Sequence, residues 1–228
     1  MKAVDPNLET FLFSAVHDMK NSITVLAAAM EQLLPPPGVP GGEAYRDVGQ
    51  MFYEVKRMNG NLTHLLTLYK LGMSSYPFDP QDHLLTDFID EVLAHQDAVL
   101  RSAAVAIEVE VDDDLVWTFD EYLISSVVAH ALNNASKYTR SKIRLLVREH
   151  ARRLELRIED DGAGYPASML ETPPGSLSLN SQHNSGTGLG LYFASVVAGL
   201  HRHGAESGRV ALENGGSLGG GVFILVLP

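Results

Sequence analysis

A chain of 228 residues with 45% hydrophobic and 20% charged positions has the composition of a folded globular protein, and its length suits a small domain joined to one of about 150 residues. Its formal charge of −11 argues against general affinity for nucleic acid. There is no cysteine, which excludes disulfides and thiolate-held zinc, and no apolar run of membrane-spanning length or secretory leader, so the expected location is the cytoplasm.

Asp5-Pro6 opens the first helical pattern with a capping residue type followed by a proline suited to a first turn. Leu8, Leu12, Ala15, Met19, Ser22, Leu26, Ala29 and Leu33 then recur at spacings of four and three, a coiled-coil-like seam expected to be core. Pro35-Pro36-Pro37-Gly38-Val39-Pro40-Gly41-Gly42 breaks the pattern. A second helix follows on Val48, Phe52, Val55, Asn59, Leu62, Leu66 and Tyr69 and ends by Gly72. Residues 1–73 therefore predict an antiparallel helical hairpin. Such a hairpin cannot bury its seam alone, so a homodimer forming a four-helix bundle is expected.

Residues 74–80, Ser-Ser-Tyr-Pro-Phe-Asp-Pro, read as a linker to a second domain over 81–228. There the pattern alternates: a helix from Leu84 to Ala104, a strand over Ile107 to Val111, a helix from Asp120 to Lys137, and strands at Ile143 to Glu149 and Leu154 to Glu159. Eight basic residues fall from Lys137 to Arg157 and, Lys137 excepted, read as a solvated strand face in preference to a ligand or partner surface. Residues 166–185 carry almost no apolar periodicity and predict a long mobile loop of the kind that serves as a lid. A helix over Leu191 to Leu200 and a strand pair, Arg209 to Glu213 and Val222 to Leu227, close the domain. His201-Arg202-His203 reads as surface polarity, and Gly215-Gly216-Ser217-Leu218-Gly219 as hairpin glycine instead of a hydrolase elbow, since it lies between two strands.

Three segments of the second domain carry residues suited to a nucleotide. Asn134 and Lys137, with Tyr138, lie at a helix end; Asp160, Gly162 and Gly164 follow a strand; and Gly186, Thr187, Gly188, Leu189 and Gly190 run into a helix. A carboxylate at a strand end can accept the adenine amino group, and neighbouring glycines let a base approach the backbone. Asn134 offers the neutral oxygen that Mg²⁺ favours, Lys137 a point charge for phosphate, and alternating glycines before a helix free amides for an anion.

Together these segments resemble the N, G1 and G2 boxes of the histidine kinase ATP-binding domain, a Bergerat-type α/β sandwich shared with gyrase B and the MutL repair ATPases. The resemblance implies that Asp160 binds adenine, Asn134 binds magnesium, Lys137 and Tyr138 contact phosphate and base, and the glycines frame the lid. Val16-His17-Asp18-Met19-Lys20-Asn21-Ser22 is similar to the H-box of the same kinases. By that resemblance His17 accepts the γ-phosphoryl group of Mg²⁺-ATP, Asp18 orients the ring and takes its proton, and Asn21, one turn on, holds a water for hydrolysis of a response regulator's aspartyl phosphate. The implied fold is α+β: a dimeric helical hairpin followed by the ATP-binding sandwich. The implied partners are a response regulator receiver domain and a separate sensory protein. Two positions depart from the family pattern. His130 stands where the N-box has its first Asn and reads either as a cofactor-side proton acceptor or metal ligand or as a packed, hydrogen-bonded helix histidine, and the lid lacks its usual Phe. These departures define two rival readings: a regulator phosphatase or phosphotransfer protein with a degenerate ATP domain, or a dimeric scaffold that blocks another kinase.

Overall fold

The computed structural model describes residues 6–33, 43–102, 105–171 and 188–228. The proline- and glycine-rich turn at 35–42 and most of the expected lid, 172–187, lie outside the described residues. Two compact units make up the chain, Met1–Pro77 and Phe78–Pro228.

The first unit is two helices, α1 (Pro6–Glu31) and α2 (Glu43–Gly72). On α1 Ala27 is the buried residue among those whose side chains are described, and the partly covered Val16, Lys20, Ile23 and Met30 share its stripe at spacings of four and three. This stripe lies beside the seam expected from the sequence, of which Met19, Ser22, Leu26, Ala29 and Leu33 are exposed and Ala15 is partly covered, while the side chains of Leu8 and Leu12 lie outside the described residues. The helix thus carries two adjacent apolar stripes, and a single partner helix can cover only one of them. On α2, Phe52 is buried while Met51, Met58 and Leu65, spaced by seven, are exposed. Thr24 donates its hydroxyl to Asn59 Oδ1 at 3.4 Å, so residues whose numbers sum to about 83 lie level. In that register Leu33, Leu26 and Met19 sit beside Met51, Met58 and Leu65. The end of α2 is made at Ser74, in the left-handed region with φ 53°, where Ser75 N–H returns to the Lys70 carbonyl at 2.9 Å.

The second unit runs β1 (Gln81–Leu84), α3 (Leu85–Ser102), β2 (Ala106–Val111), β3 (Val116–Phe119), α4 (Glu121–Tyr138), β4 (Lys142–His150), β5 (Arg153–Asp160), a single turn α5 (Ala167–Leu170), α6 (Leu189–Leu200), β6 (Arg202–His203), β7 (Glu206–Ser207), β8 (Arg209–Asn214) and β9 (Gly221–Leu227). The main sheet has the order β2-β4-β5-β9-β8, parallel only between β2 and β4. Alternation along the strands sorts its two faces. Leu145, Ile158 and Phe223, in register across β4, β5 and β9, are buried on the face shared with Val147, Leu156 and Leu225. Helices α3, α4 and α6 contribute Ile89, Leu123, Val128, Leu132, Phe193 and Val197 to the same core.

On the opposite face Val222, Ile224 and Val226 of β9 form a small apolar cluster whose register partners on β5 are Glu159, Arg157 and Glu155. The basic run of the sequence is spent here on ion pairs: Lys142 to Glu108 and Arg144 to Glu110, both 2.6 Å, Arg148 to Glu155, 2.8 Å, and Arg157 to Glu159, 3.4 Å. The long stems also keep water off the cluster, which surface ion pairs alone would not repay.

β1 and β3 pair only with each other, and sequence patterning did not reveal them because each spans four residues. His201 is not surface polarity; it is buried. Its Nδ1–H donates to the Val197 carbonyl at 2.9 Å and its Nε2 accepts the Asp120 amide at 3.0 Å, so a neutral ring ties the end of α6 to the start of α4. Burial lowers its pKa, opposed by the Val197 carbonyl and the Asp120 charge.

Candidate functional site

Helix α4 begins on Asp120, whose carboxylate accepts the Leu123 amide at 3.0 Å, and buries Leu123, Val127, Val128, Ala131 and Leu132. That choice of face turns His130 and Asn134, one turn apart, to a common edge. Asn134 Nδ2 lies 2.9 Å from His130 Nε2. An amide nitrogen only donates, so Nε2 accepts and the ring proton is on Nδ1. Desolvation lowers the His130 pKa to about 4, which keeps the ring neutral and able to accept. Asn134 Oδ1 makes no hydrogen bond among the described residues, and this oxygen is the donor a hard cation requires. Among the described residues no group of three or more acidic, His or Cys side chains is placed to hold a metal. Lys137 and Tyr138, both exposed, finish the helix, with the ammonium 5.3 Å from the ring centroid.

Asp160 ends β5. Its Oδ1 accepts the amides of Gly162, 2.8 Å, and Gly221, 3.1 Å, while Oδ2 makes no hydrogen bond among the described residues. The cradle around it is closed to side chains: a Cβ on Gly220 would lie 2.4 Å from Oδ1, and one on Gly221 2.8 Å from Oδ2. Gly162 has the same constraint, since its Cβ would stand 2.2 Å from the Tyr138 carbonyl. Gly164, at φ 79°, lets Tyr165 pair with Asn214, whose amide exchanges bonds of 2.7 and 2.9 Å with the Tyr165 backbone. Burial, with the Asp160 charge beside it, raises the Tyr165 hydroxyl above the ordinary phenol range.

The neighbouring Asp161 has other work. It accepts from the Arg140 and Ser141 amides at 2.7 and 3.0 Å and from the Ser141 and Thr139 hydroxyls. These bonds hold it below the usual carboxylate range and fasten the turn after β5 to the turn after α4. The loop between β8 and β9 is anchored likewise: Ser217 donates its amide and hydroxyl to Glu159 at 2.8 and 2.6 Å, which removes this serine from any nucleophilic role.

Helix α6 starts two residues earlier than expected, at Leu189, on Gly188 in the left-handed region at φ 68°. Gly186 and Thr187 lie outside the described residues. Gly190 faces His130 so closely that a Cβ would fall 1.8 Å from Nε2. The segments of α4, β5 and α6 therefore meet at one place, through Gly190 against His130, Gly162 against Tyr138 and Asp161 against Thr139. The N-terminal turn of α6 faces this place, with its amide end toward it. Asn214, Tyr165, Gly220 and Gly221, absent from the sequence reading, complete it; the glycine cluster before β9 was their only signal.

In the first unit His17 is exposed on α1, with Nδ1 3.6 Å from Asp18 Oδ1 and 3.3 Å from Asn21 Nδ2.

Residues 119–228 match the family of histidine kinase-, DNA gyrase B-, and HSP90-like ATPases. The sensor protein CseC of Streptomyces coelicolor is 28% identical over 82% of this chain, and the signal transduction histidine-protein kinase AfsQ2 of the same organism 26% identical over 96%. The chain spans only 32% and 41% of their lengths. Among solved structures, histidine kinase AdeS of Acinetobacter baumannii superposes with a TM-score of 0.57 at 15% identity, covering 92% of this chain and 96% of that one. Histidine kinase ThkA, solved with the response regulator protein TrrA, gives 0.58 at 18% identity, covering 98% and 61%. At such identities the likeness is one of fold. No helix among the described residues is long and apolar enough to cross a membrane. With the three segments gathered at one site and relatives that match across both units, the chain is similar to histidine kinase catalytic cores, and its residues 119–228 carry the match to the histidine kinase-, DNA gyrase B-, and HSP90-like ATPases.

Proposed function

We propose that this protein is a dimeric, cytoplasmic histidine autokinase that phosphorylates His17 from Mg²⁺-ATP and passes the phosphoryl group to an aspartate of a response regulator, whose phosphate it also removes. The observation that carries the reading is the cradle around Asp160: one carboxylate oxygen fixed by two amides, the other open, and glycines wherever a side chain would intrude. Asp160 Oδ2 accepts the adenine amino group, Lys137 and the first amides of α6 take the phosphates, Tyr138 borders the base, and Asn134 Oδ1 holds the cation. When bound, Mg²⁺-ATP supplies the γ-phosphoryl group and the cation offsets its charge. His17 attacks through Nε2 with Asp18 receiving the Nδ1 proton, and Asn21 positions a water in the reverse, phosphatase direction. The exposed stripes Met19, Leu26, Leu33 and Met51, Met58, Leu65 are the dimer face, giving a four-helix bundle. Input comes from a separate sensory partner.

The test is incubation with γ-labelled ATP. An acid-labile, base-stable label is expected, lost in H17Q with nucleotide affinity intact, and lost in D160N together with nucleotide affinity. Label that persists in H17Q would refute the assignment.

A further inference from the structure

His17 has two neighbours with opposite demands on one atom. Nδ1 lies 3.3 Å from the amide nitrogen of Asn21 and 3.6 Å from Oδ1 of Asp18. The amide nitrogen can only donate and the carboxylate can only accept. A neutral imidazole has one ring proton, so Nδ1 serves one neighbour or the other. If Nδ1 receives the Asn21 N–H, the ring proton sits on Nε2, and Nε2 has no lone pair in the ring plane with which to attack phosphorus. If Nδ1 carries the proton toward Asp18, Nε2 has that lone pair. The Asn21 contact is within hydrogen-bond range; the Asp18 contact is just beyond it. Asn21 reaches the ring because the two lie one turn apart on one face of α1.

We propose that Asn21 is a positioning residue that holds His17 in a resting tautomer with the proton on Nε2, and that transfer of Nδ1 from Asn21 to Asp18 is the step that arms the histidine. The inference rests on the autokinase reading above and assigns its built-in brake. In the armed form the Nε2 lone pair forms the N–P bond while the bond from the γ-phosphorus to the bridging oxygen breaks. That oxygen leaves with the electron pair on the nucleoside diphosphate, and the Nδ1 proton passes to Asp18. In the resting form the same attack first requires removal of a proton from the reacting nitrogen, beside which no carboxylate lies in contact among the described residues. The proposal predicts that Asn21 slows the forward reaction, an effect separate from any role in positioning water.

The experiment uses the full chain with ¹⁵N-labelled imidazoles, recorded near pH 8.5, where free imidazole is neutral. The His17 signals are identified by their loss in H17Q. In the unsubstituted protein the proton is expected on Nε2. In N21A, which removes the donor, and N21D, which replaces it with an acceptor, the population shifts toward Nδ1–H. The initial rate of labelling from Mg²⁺-ATP should rise about two- to tenfold, the weight of one exposed hydrogen bond, with nucleotide affinity unchanged. A tautomer that does not move in either variant, or that moves without faster labelling, overturns the inference. So does a shift toward Nε2–H in N21A, which would mean that the Asn21 carbonyl oxygen had been holding the Nδ1 proton. Absence of label in the unsubstituted protein, despite nucleotide binding, refutes the autokinase reading itself, so the two failures are distinct.

Discussion

The contact between Gly190 and His130 can be tested by adding one methyl group. A Cβ at Gly190 would lie 1.8 Å from Nε2 of His130, 2.2 Å from Cε1 and 2.5 Å from Cδ2, so the ring must leave its place and give up the hydrogen bond from Asn134. Overpacking of this kind costs about 1–3 kcal/mol. The same substitution in an H130A background meets no ring. There Gly190 is a glycine inside a helix, and alanine is expected to gain about 0.5–1 kcal/mol. The double-mutant cycle should therefore return a coupling of about 1.5 kcal/mol or more, well above the scatter between independent sites. The assay is urea unfolding followed by tryptophan fluorescence. The chain has one tryptophan, Trp117, and it lies in the second unit with its indole N–H on the Pro228 carbonyl at 3.0 Å, so the signal reports that unit alone. Equal penalties for G190A in the two backgrounds would refute the packing argument. G190A without any penalty would refute it too.

Two further outcomes follow. Burial holds His130 at about 4, below the ordinary imidazole value near 6.5, so its contribution to stability is full above 6.5 and declines as pH falls toward 4. Between pH 7.5 and 5.5, His130 alone should cost on the order of 1 kcal/mol, with His201, also lowered, adding to the fall; H130N should flatten the Trp117 urea midpoint over this window, and an unchanged slope would show the ring is not kept neutral. For the hairpin, the double substitution L26K/M58K puts two charges into the exposed stripe. A dimeric mass by light scattering should become monomeric, and a mass that does not change would place the dimer face elsewhere.

The candidate residues could be named from sequence because residue type and place along an element are local. Asn134, Asp160 and Gly188 each stand near the end or start of an element, and it was their resemblance as a set to a family's motifs, not the spacing of any one of them, that singled them out. What stayed hidden depends on groups far apart in sequence. Asp160 and Asp161 are adjacent and chemically identical, yet one keeps an open oxygen and the other is consumed by the Thr139 to Ser141 turn. His201 looked like surface polarity because its partner, the Asp120 amide, is 81 residues away. The role of His130 required knowing that α6 passes against it.

The hairpin shows the same division. Heptad spacing is a property of one helix, so two helices, each with an apolar stripe, followed from the residues alone. Which stripe the second helix covers is a choice between faces, and periodicity does not rank them: Val16, Ile23, Ala27 and Met30 went inward and the Met19 to Leu33 seam stayed out. Helices, strands and the chemical types at their ends were determined by sequence, since they depend on neighbours within a turn or two. Which carboxylate stays open, which glycine must remain bare and which nitrogen of the His201 ring accepts were decided only in the tertiary structure, because each depends on a group brought close by the packing of another element.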